Sequence, residues 1–283
     1  MTGQPITEPG LYPGIPADDY HRDPVAGGSL SSSGARALLP PSCPARYRHD
    51  QDHGQTPKRH YDIGHLAHKL VLGEGNSIAI IDAGDWRTKA AKTERDEARE
   101  AGQIPVLIEE YRQVAAMANA INEHPIAAAL FNHDNGAPEQ TLVWRDQTTG
   151  VMCRARYDWL PNPNGGRLVL ADYKTCASAE PEQLRKAMAT HGYHVQAAWY
   201  LTAAREVLAA QDPGFVFVCQ EKTPPYLVTI FEPDSIALRI GLAMSNRARA
   251  IYAHCVETGR WPAYSDDVEL LALPRWAELQ EGE

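Results

Sequence analysis

The chain has 283 residues, of which 43% are hydrophobic, so it can bury a substantial core, and we expect one domain over 1–283 rather than two small ones. Its formal net charge of -9 argues against a protein that coats nucleic acid without specificity, although local basic patches can still attract phosphate. We expect no membrane association and a cytoplasmic location, because no stretch approaches the roughly 18 consecutive apolar residues of a membrane span and the first residues lack the features of a signal peptide.

The first part of the chain is predicted to be an arm followed by helices. Residues 1–28 are rich in Pro, Gly and Asp without a helical or strand period, and we predict an extended arm, with ordered structure from about Ser29 to 264. Ser31 to Ser33 can cap a short helix that Pro40 ends. The further predictions are a basic turn over 43–48, a helix over 61–72 with His65 and His68, a charged helix or ordered loop over 86–100, an amphipathic helix from 107 and a short helix from Pro125.

The middle of the chain changes to a strand period. The runs 139–145, 151–160 and 168–174 are separated by turn residues and predict three antiparallel strands. The elements predicted after them are a helix over 180–210 that breaks near His191 and Gly192, strands over 214–219 and 226–231, a long helix from 233 to 258, and an acidic tail over 265–283.

Two of these strands carry polar groups at alternating positions. Asp172 and Lys174 point to one side of their strand, as do Arg154, Arg156 and Asp158 on the preceding one. If the two faces coincide, the five groups converge. A carboxylate in the run Leu-Val-Leu-Ala-Asp is costly to bury without compensation, and a divalent cation would provide it. The alternative is a salt-bridged surface hairpin.

A candidate ligand set comes from separated segments. His68, Asp158 and Asp172 offer one imidazole and two carboxylates, which suit Mg²⁺ or Mn²⁺, and the backbone carbonyl of Tyr173 could fill a further position. Phosphodiester cleavage requires stabilisation of charge on the phosphate oxygens, a task for a metal and a lysine.

Two more residues extend this set. Lys174 fits the role of the lysine. Glu139, at the start of the first hairpin strand, could reach a second metal or orient the nucleophile.

The order of these residues resembles the PD-(D/E)-x-K nuclease superfamily, in its RecB/RecE-like branch and its exonuclease VIII type. The likeness runs from about Ser29 to Tyr264. It is carried by Gly64-His65-Leu66-Ala67-His68, Glu139, Asp158, Asp172-Tyr173-Lys174 and Gln196-Ala197-Ala198-Trp199-Tyr200. The resemblance implies an α+β fold with an α/β/α restriction-endonuclease-like core, in which helices flank a central mixed, mainly antiparallel sheet.

The resemblance also implies roles for individual residues. His68, Asp158 and Asp172 would bind metal and Lys174 would be catalytic. Gln196 and Tyr200 would line the DNA channel, although taken alone they could be ordinary helix residues.

Basic residues provide candidate phosphate contacts. Arg154 and Arg156 could clamp a phosphate bidentately or could instead form ion pairs with nearby acids. Arg87, Lys89 and Lys92 could grip phosphate, yet a charge run is usually a solvated face.

As a function, the resemblance implies a Mg²⁺-dependent exodeoxyribonuclease, with Mn²⁺ as a possible substitute. It would degrade one strand of linear double-stranded DNA from a free end, 5' to 3', in the cytoplasm of a bacterium or phage-infected host. The product would be single strands for an annealing protein in recombination, and the chain would form a ring trimer or tetramer. The alternatives are a RecB-like nuclease of other polarity, a flap endonuclease, or an inactive DNA-binding scaffold. We expect no iron-sulfur cluster, because the five cysteines are scattered.

Overall fold

A computed structural model gives the fold and describes residues 4–54, 59–74, 77–163, 165–275 and 277–278. Strands and helices alternate in the first half, and a strand-rich segment is followed by long helices in the second. In chain order the elements are β1 (Gly10–Tyr12), α1 (Ala17–His21), β2 (Leu30–Ser31), α2 (Ser32–Ala37), α3 (Pro44–His53), α4 (Arg59–Leu72), β3 (Ile78–Ile81), α5 (Lys89–Glu100), β4 (Ile104–Leu107), α6 (Ile108–Glu123), α7 (Pro125–Leu130), β5 (Gly136–Arg145), β6 (Met152–Pro161), β7 (Val169–Cys176), α8 (Pro181–His191), α9 (Tyr193–Leu208), β8 (Gly214–Glu221), β9 (Val228–Phe231) and α10 (Ser235–Thr258).

The central sheet is mixed and mainly antiparallel, which confirms the predicted fold class. Within the described residues it has seven strands, in the order β1-β5-β6-β7-β8-β9, and β2 pairs alongside β6. The three strands predicted as an antiparallel unit are β5, β6 and β7, while β8 runs parallel to β7 after the crossover through α8 and α9. A separate small sheet pairs β3 with β4 in parallel; neither strand was predicted.

Local chemistry explains the helix boundaries. The hydroxyl of Ser31 accepts the N–H of Gly34 at 3.1 Å and so begins α2, as predicted. Gly192 adopts a left-handed φ of 69°, which separates α8 from α9 at the predicted break. Asp234 begins α10 by accepting the N–H of Ala237.

Helices cover both faces of the sheet. On one face, α2, α9 and α10 enclose a core that includes Trp144, Tyr157 and Trp199. On the other face, α4, α6 and α7 pack over Trp159 and Tyr173. Side chains along β7 therefore alternate between two apolar layers, which makes the polar positions on this strand unusual.

Two predictions about the first fifty residues are wrong. Residues 1–28 were expected to form an arm, but from residue 4 onward the segment contains β1, which pairs with β5, and α1, whose Tyr20 is buried. Residues 43–48 were expected to form a turn, but Pro44 opens the ten-residue helix α3. Beyond Tyr264 the described residues up to 275 are exposed.

One negative finding concerns membranes. Among the described residues, no helix combines the length and the apolar character that crossing a bilayer requires.

Candidate metal and active site

Asp158 lies where β6 and β7 diverge. The two strands share a single paired position, Trp159 opposite Ala171. Next to it, Oδ2 of Asp158 accepts the backbone N–H of Tyr173 at 2.9 Å. The carboxylate thus accepts the N–H that a backbone carbonyl of β6 would accept in a regular sheet. This hydrogen bond fixes the side chain of Asp158 where the two strands diverge.

Asp172 is the buried carboxylate of the site. The residue is 1% exposed, on β7, and its Oδ1 accepts a hydrogen bond from Nε2 of Gln196 at 2.6 Å. Its Oδ2 forms an ion pair with Nζ of Lys174, two residues along the same strand. The predicted convergence of Asp172 and Lys174 is therefore present in the structure.

Glu139 faces Asp158 across the hairpin. The flanking pairs are Pro138 with Trp159 and Gln140 with Tyr157, so the register sets Glu139 opposite Asp158. Its backbone has a φ of 55°, a left-handed conformation that is uncommon outside glycine.

His68 completes a cluster with these two acids. Its Nδ1 lies 3.6 Å from Oδ2 of Asp158, and its ring meets that of Tyr173 edge to face. One ligand atom each from His68, Glu139 and Asp158 lie within 4.8 Å of one another. Ligands at about 2.1 Å from a shared ion are at most about 4.2 Å apart, so a small contraction would bring all three onto one divalent cation.

This donor set fits a hard or borderline divalent metal, with one imidazole and two carboxylates. It differs from the expected set, because Glu139 rather than Asp172 is grouped with His68 and Asp158. Ligation by Asp172 and by the carbonyl of Tyr173 stays a prediction.

The electrostatics of the site follow from burial. Burial raises the pKa of Asp158 to about 6, against the opposing effect of Lys174. Burial, with the neighbouring charge of Asp158, also raises the pKa of Asp172 to about 6. For Lys174 burial lowers the pKa, but Asp172 and Asp158 outweigh it and the net shift is upward. The site therefore places two aspartates with raised pKa values beside a lysine that these acids keep protonated.

The helix α9 supports Asp172 rather than presenting a surface. Tyr200 is 8% exposed and packs against Tyr157 and Phe215, and it interacts with the side chain of Gln196, one turn earlier. Tyr200 was expected to line a DNA channel. Its burial beside Gln196 fits the alternative of an ordinary helix residue, and contact of Gln196 and Tyr200 with DNA stays a prediction.

Arg154 is likewise not a surface residue. It is 5% exposed, forms an ion pair with Asp23 at 2.9 Å and donates to the carbonyl of Ser29 at 2.8 Å. These contacts use its guanidinium within the fold, so Arg154 follows the alternative of ion pairing with a nearby acid, and its contact with phosphate stays a prediction. Arg156 follows the alternative, because its guanidinium forms an ion pair with Glu139.

The predicted basic residues at the start of α5 are exposed. Arg87 is exposed and pairs with Asp85, while Lys89 and Lys92 are exposed on α5, so their contact with DNA stays a prediction. The side chain of His65 lies outside the described residues.

The sequence interpretation missed the N-terminal residues that support the site. Tyr20 and Asp23 contact the two arginines of β6. One sequence signal could have indicated α1. Asp18 and Asp19 come shortly after Pro16, and acidic residues are common in the first turn of a helix.

Comparisons with known proteins give a family and a similar fold. The family model described as "PDDEXK-like domain of unknown function (DUF3799)" matches residues 31–274. The chain is similar in fold to a solved structure from Eubacterium rectale that carries the name "Putative exonuclease", with 12% identity, a TM-score of 0.59, and coverage of 95% of this chain and 99% of that one. The solved structure of SSO0001 is 14% identical and covers 72% of this chain and 95% of that chain, but its TM-score of 0.31 is too low to indicate a shared fold. No curated protein matches the chain.

Proposed function

Because this chain belongs to the family of PDDEXK-like domains of unknown function, we propose that it is a metal-dependent nuclease, and specifically an exodeoxyribonuclease that digests one strand of linear double-stranded DNA. The substrate is a duplex with a free end and the direction is 5' to 3'. The proposal rests on the fold, the family and the cluster of side chains at the divergence of β6 and β7.

One observation carries the proposal. A buried aspartate, Asp172, lies in ion-pair contact with Lys174 and next to a second aspartate, Asp158, which itself adjoins His68 and Glu139. Burying this many charges is unfavourable without compensation, and buried acids with raised pKa values beside a lysine are typical of functional sites. A salt-bridged surface hairpin does not explain it, since Asp172 is buried.

The residues that would hold Mg²⁺, or Mn²⁺ in its place, are His68, Glu139 and Asp158. A divalent cation held there supplies positive charge to the phosphate and lowers the pKa of bound water. Lys174 remains protonated at neutral pH, so it stabilises negative charge on the phosphate oxygens and does not act as a base. Gln196 and Lys174 together hold both oxygens of Asp172 in one orientation.

We propose a setting that follows from this activity. The single strands left by digestion are substrates for an annealing protein in recombination, in the cytoplasm of a bacterium or an infected host. A ring trimer or tetramer would focus basic residues inward, which accounts for DNA binding by a chain of net charge -9. Light scattering coupled to gel filtration tests the ring.

The test of the function compares DNA substrates. Linear duplexes with free ends, duplexes blocked at the 5' or 3' ends, and covalently closed circles are incubated with the protein and Mg²⁺. We expect digestion of the free-ended duplex, protection by the 5' block and no cleavage of the circle. EDTA and Asp158→Asn abolish digestion in the expected result.

Each other outcome selects an alternative. Protection by the 3' block alone identifies the opposite polarity, and cleavage of circles or flaps identifies an endonuclease. DNA binding without any cleavage, with Mg²⁺ or Mn²⁺, identifies an inactive scaffold and overturns the proposal.

A further inference from the structure

Glu139 is held in an unfavourable backbone conformation. Its φ is 55°, although it lies within β5 and is not glycine. The residues on either side, Pro138 and Gln140, remain paired with β6, so the irregularity is confined to one position. Such a conformation persists only where surrounding contacts maintain it, and such residues cluster at functional sites.

Arg156 holds the side chain of this residue. Its Nε forms an ion pair with Oε2 of Glu139, and its Nη1 donates to the carbonyl of Ile15 at 2.8 Å. Only 13% of the Arg156 side chain and 23% of the Glu139 side chain are exposed, so the pair is shielded from solvent. A planar guanidinium with several donors can bridge two acceptors in a fixed geometry.

The N-terminal segment, defined here as residues 4–29, anchors this bridge. The ring of Tyr20 lies against the guanidinium groups of Arg154 and Arg156, at 5.3 and 5.6 Å from its centroid. Asp23 and Ser29 of this segment bind Arg154, which lies on β6 together with Arg156. Along the chain, Ile15 thus lies between β1, which pairs with β5, and Tyr20, which contacts both arginines, and these two contacts fix the position of its carbonyl.

From these contacts we infer that Arg156 is a positioning residue, which aims the carboxylate of Glu139 at the metal ligands His68 and Asp158, and that the N-terminal segment completes the site through Arg156. This inference rests on the proposed function in taking that cluster as the metal site. It also goes beyond the family match, which begins at residue 31, after the segment has ended.

The test measures the affinity of the full chain for Mn²⁺ by calorimetry, without DNA. Arg156→Lys keeps the positive charge but cannot make the forked contact to Glu139 and Ile15. We expect it to bind Mn²⁺ about 10-fold more weakly, the size of effect seen when a residue that orients a metal ligand is changed. Arg185→Lys is the control, since Arg185 is an exposed arginine on α8 that pairs with Glu182 and takes no part in the contacts described above, and its Mn²⁺ affinity is expected to be unchanged.

A double-variant cycle shows whether Arg156 acts through Glu139. In a Glu139→Gln background, Arg156→Lys is expected to cause no further loss of Mn²⁺ affinity, because the group it positions has been removed. An equal loss in both backgrounds overturns the inference, as does an Arg156→Lys variant that binds Mn²⁺ like the original chain.

The outcome is separable from that of the proposed function. If the chain binds Mn²⁺ and the variants behave as expected but no DNA is digested, the nuclease proposal fails and the positioning role stands. If the original chain binds no Mn²⁺, the metal site fails and the inference falls with it.

Discussion

Gln196 on α9 donates a hydrogen bond to Asp172 on β7 across 2.6 Å, which couples the packing of a helix to the ionisation of a buried carboxylate. The bond favours the charged form of Asp172, whose pKa burial and the charge of Asp158 raise to about 6. In Gln196→Leu we therefore expect that pKa to rise further, so that the acid limb of the nuclease pH profile moves up by about one unit.

The measurement is the rate of duplex digestion between pH 5 and 9. Gln183→Leu, at an exposed position on α8, is the control and should reproduce the original profile. A Gln196→Leu profile with an unmoved acid limb would show that the hydrogen bond does not govern Asp172.

Lys174→Ala tests the catalytic lysine. Removing the ammonium group removes the positive charge that stabilises negative charge on the phosphate oxygens. We expect the rate of digestion to fall by about 10²–10³-fold. The protein should remain folded by circular dichroism and should still bind duplex DNA in a gel-shift assay. The exposed Lys186→Ala on α8 provides the control. Undiminished digestion in Lys174→Ala would remove this lysine from the mechanism.

The two aspartates also predict how stability depends on pH. Both have pKa values raised to about 6 in the fold, chiefly by burial. Between about pH 4 and 6 the folded chain then binds more protons than the unfolded chain, so the free energy of unfolding falls as pH rises through this window. Lys174 does not oppose this trend, because its pKa is shifted upward, away from the window.

A metal that binds the ionised form of Asp158 should oppose this loss of stability. We expect the increase in Tm caused by Mn²⁺, relative to EDTA, to be small at pH 5 and to grow up to pH 7. Differential scanning fluorimetry across this range measures it. In Asp158→Asn the Mn²⁺ effect should be absent, while the exposed Asp134→Asn should retain it. A Tm increase that is the same at every pH would contradict the assignment.

How far the sequence predicts this site depends on the distance between its parts along the chain. Asp172 and Lys174 are two residues apart on one strand, so alternation alone places them together. His68 is ninety residues from Asp158, so no local pattern places them together, and they were grouped because an imidazole and carboxylates suit a divalent metal and because the order of motifs resembles a nuclease family. The grouping of Glu139 with both depends on the register of β5 and β6 and on a left-handed φ that a glutamate does not signal.

The fold likewise contains elements that a local pattern predicts and elements that depend on distant contacts. Long helices such as α6 and α10 carry enough turns for a helical period to be read, and both were predicted. The elements of the N-terminal segment are three and five residues long, too short for any period, and their positions depend on tertiary contacts with Arg154 and Arg156.

That segment leads to a prediction about stability. The ion pair of Arg154 and Asp23 has side chains only 6% and 16% exposed, so removing one partner leaves a buried charge. We expect Arg154→Met to lower the free energy of unfolding by about 3–5 kcal/mol in urea titrations. Arg185→Met removes a pair with Glu182 whose side chains are 74% and 65% exposed, and it should cost less than about 1 kcal/mol. If both variants lowered the free energy of unfolding by the same small amount, the segment would be the loosely attached arm that the sequence predicted.

The close approach of α9 and α10 at Gly241 links packing to the active site. A Cβ at this position would lie 2.1 Å from the carbonyl oxygen of His194, two residues before Gln196. Gly241→Ala must therefore displace the first turn of α9, and with it the donor to Asp172. We expect a loss of about 1–3 kcal/mol in stability, together with a fall in digestion rate.

The control is a glycine on a helix with room around it. Among the described residues, no atom lies within 4 Å of a Cβ placed at Gly64 on α4. Gly64→Ala should therefore raise the free energy of unfolding by up to about 1 kcal/mol, because alanine loses less backbone entropy on folding. Thermal unfolding of both variants measures the difference in sign. If Gly241→Ala were as stable as Gly64→Ala, α9 would not be fixed against α10 at this point. Gln196 would then owe its position to contacts on its own side of the sheet, such as that with Tyr200.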